Sequence, residues 1–454
     1  MKKIASVLLL GILCPVFMFG QGETSNWYFG NGAGIKFNND GTVSTVKKSK
    51  LSTFEGCATI SDAVGNLLFY TDGVTVYNGD HEIMENGEGL YGDSSSTQSA
   101  LIVPKPEDPN IFYVFTVDTS VFEGDPDFGL NYSIINISLN NGLGAVTQKN
   151  VNLLTDCSEK ITAVVKDCFD QSIWVITLAS ASGNVGLFTT YHAFEVNASG
   201  VSTTSVKTSI KDLDIEDPRG YLKLSADGTK LASANATNGL YLYDFDDTTG
   251  RLSNQLRIEI DDVNRNPYGV EFSPDSRFLY VHSSNDILAN SGHSSSLLQY
   301  DLTAGDIEAS MEILDKRGIF RGALQQGENG KIYRTIAQSY TVGTPYLGVI
   351  NNPNEKGSAA DYVHDAIYLD GKNATQGLPP FIQSFFGKTE LIRNSDGTTS
   401  STLALCSGDS FRLEADLIPG ATYEWEKDGV HLPAVQGNLF EIPNANISDS
   451  GRYR

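Results

Sequence analysis

The sequence predicts an all-β protein whose larger part is a β-propeller, and three observations carry that prediction. A two-strand phrase recurs along the chain, no long helical period appears after residue 20, and the texture changes from about Lys388 to that of a second β-domain. The recurring phrase is an extended apolar stretch, a polar turn and a second extended stretch with aromatics. It reads ATISDAVGNLLFY from Ala58, ALIVPKPEDPNIFYVF from Ala100 and AVVKDCFDQSIWVI from Ala163. It returns as YLKLSADGTKLAS from Tyr221, GVEFSPDSRFLYV from Gly269 and GALQQGENGKIYR from Gly322. With turns at Gly65, Asn110, Gln171, Gly228, Ser276 and Gly330, the steps are 45, 61, 57, 48 and 54 residues. Hairpins at such a period mark propeller blades, because one hairpin cannot bury its apolar face alone and must stack on its neighbours.

Taken in order, Met1 to Gly20 has the layout of a signal peptide. Lys2 and Lys3 precede an apolar run, Ile4 to Phe19, that is too short to span a bilayer. Cys14 follows Leu13, where a lipoprotein signal wants a small residue, so an unlipidated, exported protein is expected. No later apolar run reaches spanning length. Residues 21–387 form the propeller. Within it, YHAFEVN (Tyr191 to Asn197), GLYLYDFDDTTGRLS (Gly239 to Ser253) and SLLQYDLTAGDI (Ser296 to Ile307) alternate as half-buried outer strands should. Asn26 to Phe37 and Gly377 to Phe386 each read as half a unit. Pairing them would close the ring with strands from both termini and remove its open edges. Six whole units and one composite give seven blades, with six as the alternative.

Residues 388–402 read as a linker or first edge strand, and 403–454 as a partial immunoglobulin- or PKD-like sandwich. Trp425 stands where a buried strand tryptophan belongs, and Asp449-x-Gly451-x-Tyr453 resembles the corner before a penultimate strand. The last strand and a half would follow Arg454, so the chain is expected to be a fragment of a longer protein.

Fifty-five Asp and Glu against 32 Lys and Arg give a net charge of −23. Such a surface repels nucleic acid and anionic lipid, and it suits a soluble exported protein. Export also permits disulfides. Cys157 and Cys168 flank the first extended stretch of one unit and are the expected pair, while Cys57 and Cys406 have no assigned partner.

Motifs for chemistry are sparse. There is no G-x-S-x-G elbow, H-E-x-x-H helix or P-loop, and no metal-ligand spacing among His81, His192, His282, His293, His364 and His431. His192 reads as a packed or solvated strand residue. His282 and His293 flank a loop, SSNDILANSG, that could contribute to a pocket. The acidic runs Asp212 to Asp217 and Asp244, Asp246 and Asp247 offer oxygen ligands that calcium could use, but neither has the spacing of a calcium loop, and solvated turns are the expectation. Catalytic, cofactor and metal residues are therefore all assigned as none. Trp27, Tyr70, Phe115, Trp174, Tyr241, Tyr280 and Tyr333 are expected to pack between blades.

The segments NWYFGNGAGIKF, EKITAVVKDCFDQSIWVIT, FSPDSRFLYV and GLPPFIQSFF together resemble large exported proteins of Bacteroidetes. In that family a propeller is followed by immunoglobulin- or PKD-like modules and a sorting domain for the type IX secretion system, often called gliding-motility-associated. The resemblance implies a cell-surface or secreted multidomain protein whose propeller binds or adheres to an extracellular glycan or protein, with the type IX machinery as export partner. The SADG and SPDS turns also resemble lactonase-type propellers. The alternative is thus a hydrolase with a metal site at the central channel.

Overall fold

The computed structural model describes residues 22–38, 40–118, 126–166, 172–289 and 291–386, together with 392–393, 399–400, 410–414, 422–427, 430–432 and 437–449. The expected signal peptide, Cys14, Gln171, Cys168, Cys406 and the Gly451–Tyr453 corner lie outside them. The chain divides into two compact units, Met1–Phe386 and Gly387–Arg454.

The first unit is all-β, with only single-turn 3-10 helices among its described residues. A three-stranded sheet opens it, Asn26–Phe29, Ala33–Phe37 and Val43–Thr45. Two four-stranded meanders follow, the first beginning with Ala58–Ser61 and the second with Ala100–Lys105; a single parallel pair, Ala145 with Glu85, joins them. Next comes a five-stranded sheet that starts at Ile161–Val165. Three four-stranded meanders complete the unit, starting at Leu222–Leu224, Asn266–Phe272 and Leu324–Gln326. The first strands of successive sheets touch in chain order, and the last sheet returns to the first through the Trp27 and Tyr333 rings, 5.4 Å apart. The arrangement is propeller-like.

Local chemistry explains why the phrase recurs as hairpins. In the SADG turn Ser225 Oγ donates to Asp227 Oδ1 at 2.5 Å while accepting from the Lys230 N–H at 2.9 Å, and Gly228 takes φ +72°. The SPDS turn repeats the device: Ser273 Oγ donates to Asp275 Oδ1 at 2.6 Å and accepts from the Phe278 N–H at 2.8 Å. A short side chain that mimics a backbone turn thus fixes each reversal. Second strands such as Ile173–Ala179 and Phe278–Ser284 are buried at every position, since neighbouring sheets cover both faces. Outer strands such as Arg251–Ile258 are mostly exposed. The aromatics expected between units are all buried, from Trp27, Tyr70, Phe115 and Tyr280 at 0% exposure to Tyr241 at 8%.

One expectation fails. Gly377 to Phe386 does not pair as a strand with Asn26 to Phe37. The termini meet one step earlier, where the Asn31 N–H donates to the Asn373 carbonyl at 2.9 Å. The segment then runs inside the unit against strands of several sheets. Ile382 bridges in parallel to Ala163, the Val165 N–H donates to Ser384 Oγ at 3.0 Å, and the Phe381 ring lies 6.0 Å from that of Trp27. Leu378, Phe381 and Phe386 join one core with Trp27, Tyr221 and Tyr268; Ile382 joins another with Leu101, Val103 and Ala163. The reason is in the sequence: Pro379 and Pro380 have no N–H to give a ladder, so the segment is held by its side chains instead.

In the second unit, Phe411–Glu414 pairs with Leu439–Ile442, Glu426–Lys427 with Val430–His431, and Ile392–Arg393 with Thr399–Ser400 inside the expected linker. Trp425 is buried, and its indole N–H donates to the Gly437 carbonyl at 2.9 Å.

Candidate functional site

Immediately ahead of the innermost strands stands a run of long polar side chains. Glu55 precedes Ala58–Ser61, Gln98 precedes Ala100–Lys105, Glu159 precedes Ile161–Val165, Arg219 precedes Leu222–Leu224 and Arg321 precedes Leu324–Gln326. Gln376 occupies the same place ahead of the central segment. Because the first strands gather around one axis, these residues converge at one end of it. Four of them, Glu55, Glu159, Arg219 and Arg321, line a basin of about 470 Å³ together with Ser95 and Asp217, with Leu288 and Tyr340 among the remaining lining residues. That volume falls within the range of small-ligand sites.

Six charged side chains line the basin, yet most of that charge is already paired. Arg321, 2% exposed, donates to Glu55 Oε1 at 3.2 Å, Asp286 Oδ1 at 3.0 Å and Gln376 Oε1 at 2.9 Å. Arg219 binds Asp217 through Nε at 2.8 Å and Nη2 at 2.6 Å, and Asp286 through Nη1 and Nη2. Tyr268 Oη donates to Glu55 Oε2 at 2.7 Å. Burial opposes ionisation of Asp217, but the Arg219 guanidinium more than offsets it and holds the carboxyl down at about 2.

Glu159 differs from these acids. It is 1% exposed and forms no ion pair among the described residues. Its Oε2 accepts from the Thr97 N–H at 2.9 Å and from Thr97 Oγ1 at 2.6 Å; its Oε1 accepts nothing among the described residues. Burial, and then the Glu55 carboxylate, push its carboxyl well above the usual range. The adjacent Lys160 turns away, donating to the Pro218 and Arg219 carbonyls at 2.7 and 2.9 Å, and burial lowers its ammonium.

Of the residues singled out from the sequence, few meet here. The loop between His282 and His293 does contribute, through Asp286 and Leu288. The histidines do not. His282 is buried against Arg334, His293 packs on the Phe320 ring, and His192 is a packed strand residue bonded to Ser205 and the Ser180 carbonyl. Asp217, read as part of a solvated acidic run, is instead the buried partner of Arg219. Asp244 and Asp246 stay in their own turn, paired with Lys230 and Thr249. No group of three His, Cys, Asp or Glu side chains among the described residues is placed to hold a metal ion. Cys57 and Cys157 are buried thiols, and Cys168, the expected partner of Cys157, lies outside the described residues.

No family model and no curated protein matches the chain. Among solved structures it is similar to a protein of unknown function from Desulfotomaculum acetoxidans, at 13% identity over 78% of this chain and 99% of that one, with TM-score 0.43. A luciferin-regenerating enzyme is similar at 13% identity over 74% and 97%, with TM-score 0.37. A candidate 6-phosphogluconolactonase from Bacteroides fragilis is similar at 12% over 71% and 95%, with TM-score 0.33. At these TM-scores the likeness bears on neither site nor activity.

Proposed function

We propose that the chain is an exported, cell-surface or secreted binding module, a seven-unit propeller followed by an immunoglobulin-like domain, which takes an extracellular glycan or protein ligand at the basin. The three-stranded N-terminal sheet counts as the seventh unit beside the six that begin at Ala58, Ala100, Ile161, Leu222, Asn266 and Leu324. Export by the type IX machinery rests on the sequence resemblance alone. The observation that carries the reading is the state of the axis. Gly377 to Phe386 fills it with apolar side chains, which leaves recognition to the basin at one end. There, Arg219 is paired with Asp217 and Asp286 and Arg321 with Glu55 and Asp286, an arrangement that shapes a surface rather than supplying a nucleophile or a metal cage.

A glycan and peptide array probed with the full chain tests this. Binding should appear and be lost in Leu288→Trp, which crowds the mouth, with no turnover of lactones or esters. Hydrolysis proportional to protein and abolished by chelation would establish the hydrolase alternative instead.

A further inference from the structure

We infer that the basin is a receptor for a primary ammonium group, with Glu159 Oε1 as its principal acceptor and Glu216 as a second anionic partner at the rim. The inference rests on the basin being the binding site and goes on to name what it binds.

The argument is one of elimination among the lining charges. An anionic ligand would meet two guanidiniums whose charge is already paired, Arg219 with Asp217 and Asp286 and Arg321 with Glu55 and Asp286. Both oxygens of Glu55 are taken, by Arg321 and by Tyr268. Both oxygens of Asp217 are taken as well, Oδ1 by Arg219 and Oδ2 by Arg219 and Thr237. Two lining acids remain. Glu216 is exposed, and Glu159 is almost wholly buried, its Oε1 accepting no hydrogen bond among the described residues. A carboxylate oxygen that opens on so narrow a basin is less well solvated than one at the surface, so a ligand that supplies a charged donor gains more there.

The shape of the vacancy selects among cations. A guanidinium binds a carboxylate best through two parallel bonds to both oxygens. Glu159 offers only one, since Thr97 holds the other through two donors. A compact ammonium needs only one. The groups that bear on Glu159 are the Glu55 carboxylate, Lys160 on its own loop, and Glu216, Asp217, Arg219, Arg321 and Tyr340 around the basin. Seating an ammonium would drive Glu159 to its ionised form and release its proton.

Two sources of a primary ammonium can be told apart. Titration calorimetry on the full chain at about pH 7 uses Nα-acetyl-lysine amide and a glucosamine trimer as probes. Their controls are Nα,Nε-diacetyl-lysine amide and the N-acetylglucosamine trimer. One amine-bearing probe, or both, should bind at least ~10-fold more tightly than its acetylated control, as expected when a buried charge gains its partner. Glu159→Gln, which keeps an acceptor for Thr97, should weaken binding by ~10-fold or more, and Glu216→Gln by only about 2-fold. For the lysine probe, affinity should rise from about pH 5.5 to about pH 8 with proton release, a readout in the unaltered chain that does not depend on how well the variant folds. Equal binding of free and acetylated probes overturns the inference, as does a pH-flat, proton-silent affinity. Binding of the N-acetylated trimer alone, abolished by Leu288→Trp, would reject the ammonium and leave the basin as the site. Failure of every array ligand would reject both.

Discussion

Replacing Gly377 by alanine tests the plugged axis most directly. A Cβ built there would lie 1.7 Å from the Glu55 carbonyl oxygen and 2.4 Å from its carbonyl carbon. Both are backbone atoms, so no side chain can swing aside. Restoring an ordinary contact requires a shift of about 1.5 Å or more in one of two pinned segments, where overpacking costs about 1–3 kcal/mol. The adjoining bonds resist that shift. The Gln376 N–H donates to the Phe54 carbonyl at 3.0 Å, and the Gln376 carbonyl accepts from the Ala323 N–H at 2.7 Å and Thr335 Oγ1 at 3.0 Å. Losing one or two of them adds about 0.5–1.5 kcal/mol each. The smaller unfolded-state entropy of alanine returns about 0.4–1 kcal/mol. We expect a net loss of about 2–4 kcal/mol, read by urea unfolding with unchanged m-value, and weaker ligand binding, because Glu55 is what must move. Gly305→Ala is the control: no atom lies within 4 Å of its Cβ position, and the expected change is within about 0.5 kcal/mol. If Gly377→Ala unfolds at the wild-type midpoint, the segment does not run where it is described.

Three further outcomes are expected. Ile382→Ala removes a wholly buried side chain from the core it shares with Leu101, Val103 and Ala163, and should cost about 2–4 kcal/mol in the same urea assay; a loss within error would mean the segment is not packed there. Burial, and then Asp127, raise Asp156 to about 6, so the folded state holds its proton more tightly than the unfolded chain does. Its contribution is therefore present below about pH 4 and lost as pH climbs through about 6. Asp156→Asn should accordingly raise the unfolding midpoint at about pH 7.5 but not at about pH 4.5, and equal effects at both would refute the assignment. Burial also pushes the Cys57 and Cys157 thiols up, so a thiol reagent should label neither until the protein unfolds, and mass mapping that finds either labelled in native protein would contradict their burial.

The hairpins were legible because their information is local. Ser225 with Asp227 and Ser273 with Asp275 each write a complete turn within six residues, and the sequence shows them as such. The basin was not legible by motif search, since its residues come from loops spread between Glu55 and Tyr340. A signal was nevertheless present: Glu55, Gln98, Glu159, Arg219 and Arg321 each stand two or three positions ahead of an innermost strand. Aligning the phrases a few residues further back would have exposed a polar column. The closure was misread for a different reason. Hydrophobicity made GLPPFIQSFF look like a strand, while Pro379 and Pro380 removed the donors a ladder needs. Asp217 was read as solvated because its partner, Arg219, lies inside the turn that follows, and sequence gives no sign that this turn faces inward.

The central segment also constrains when this unit can become rigid. Thr375 Oγ1 donates to the Thr53 carbonyl across 322 residues of chain, and the Ile382 bridge to Ala163 comes later still. The piece that locks the inner strands together is thus the last part of this unit to be synthesised. Until it arrives, the sheets can form hairpins but have nothing to wrap around, and contacts of such long sequence separation are slow to make. The unit therefore carries its own delay: its sheets stay loosely joined until the keystone has been synthesised and can close the ring.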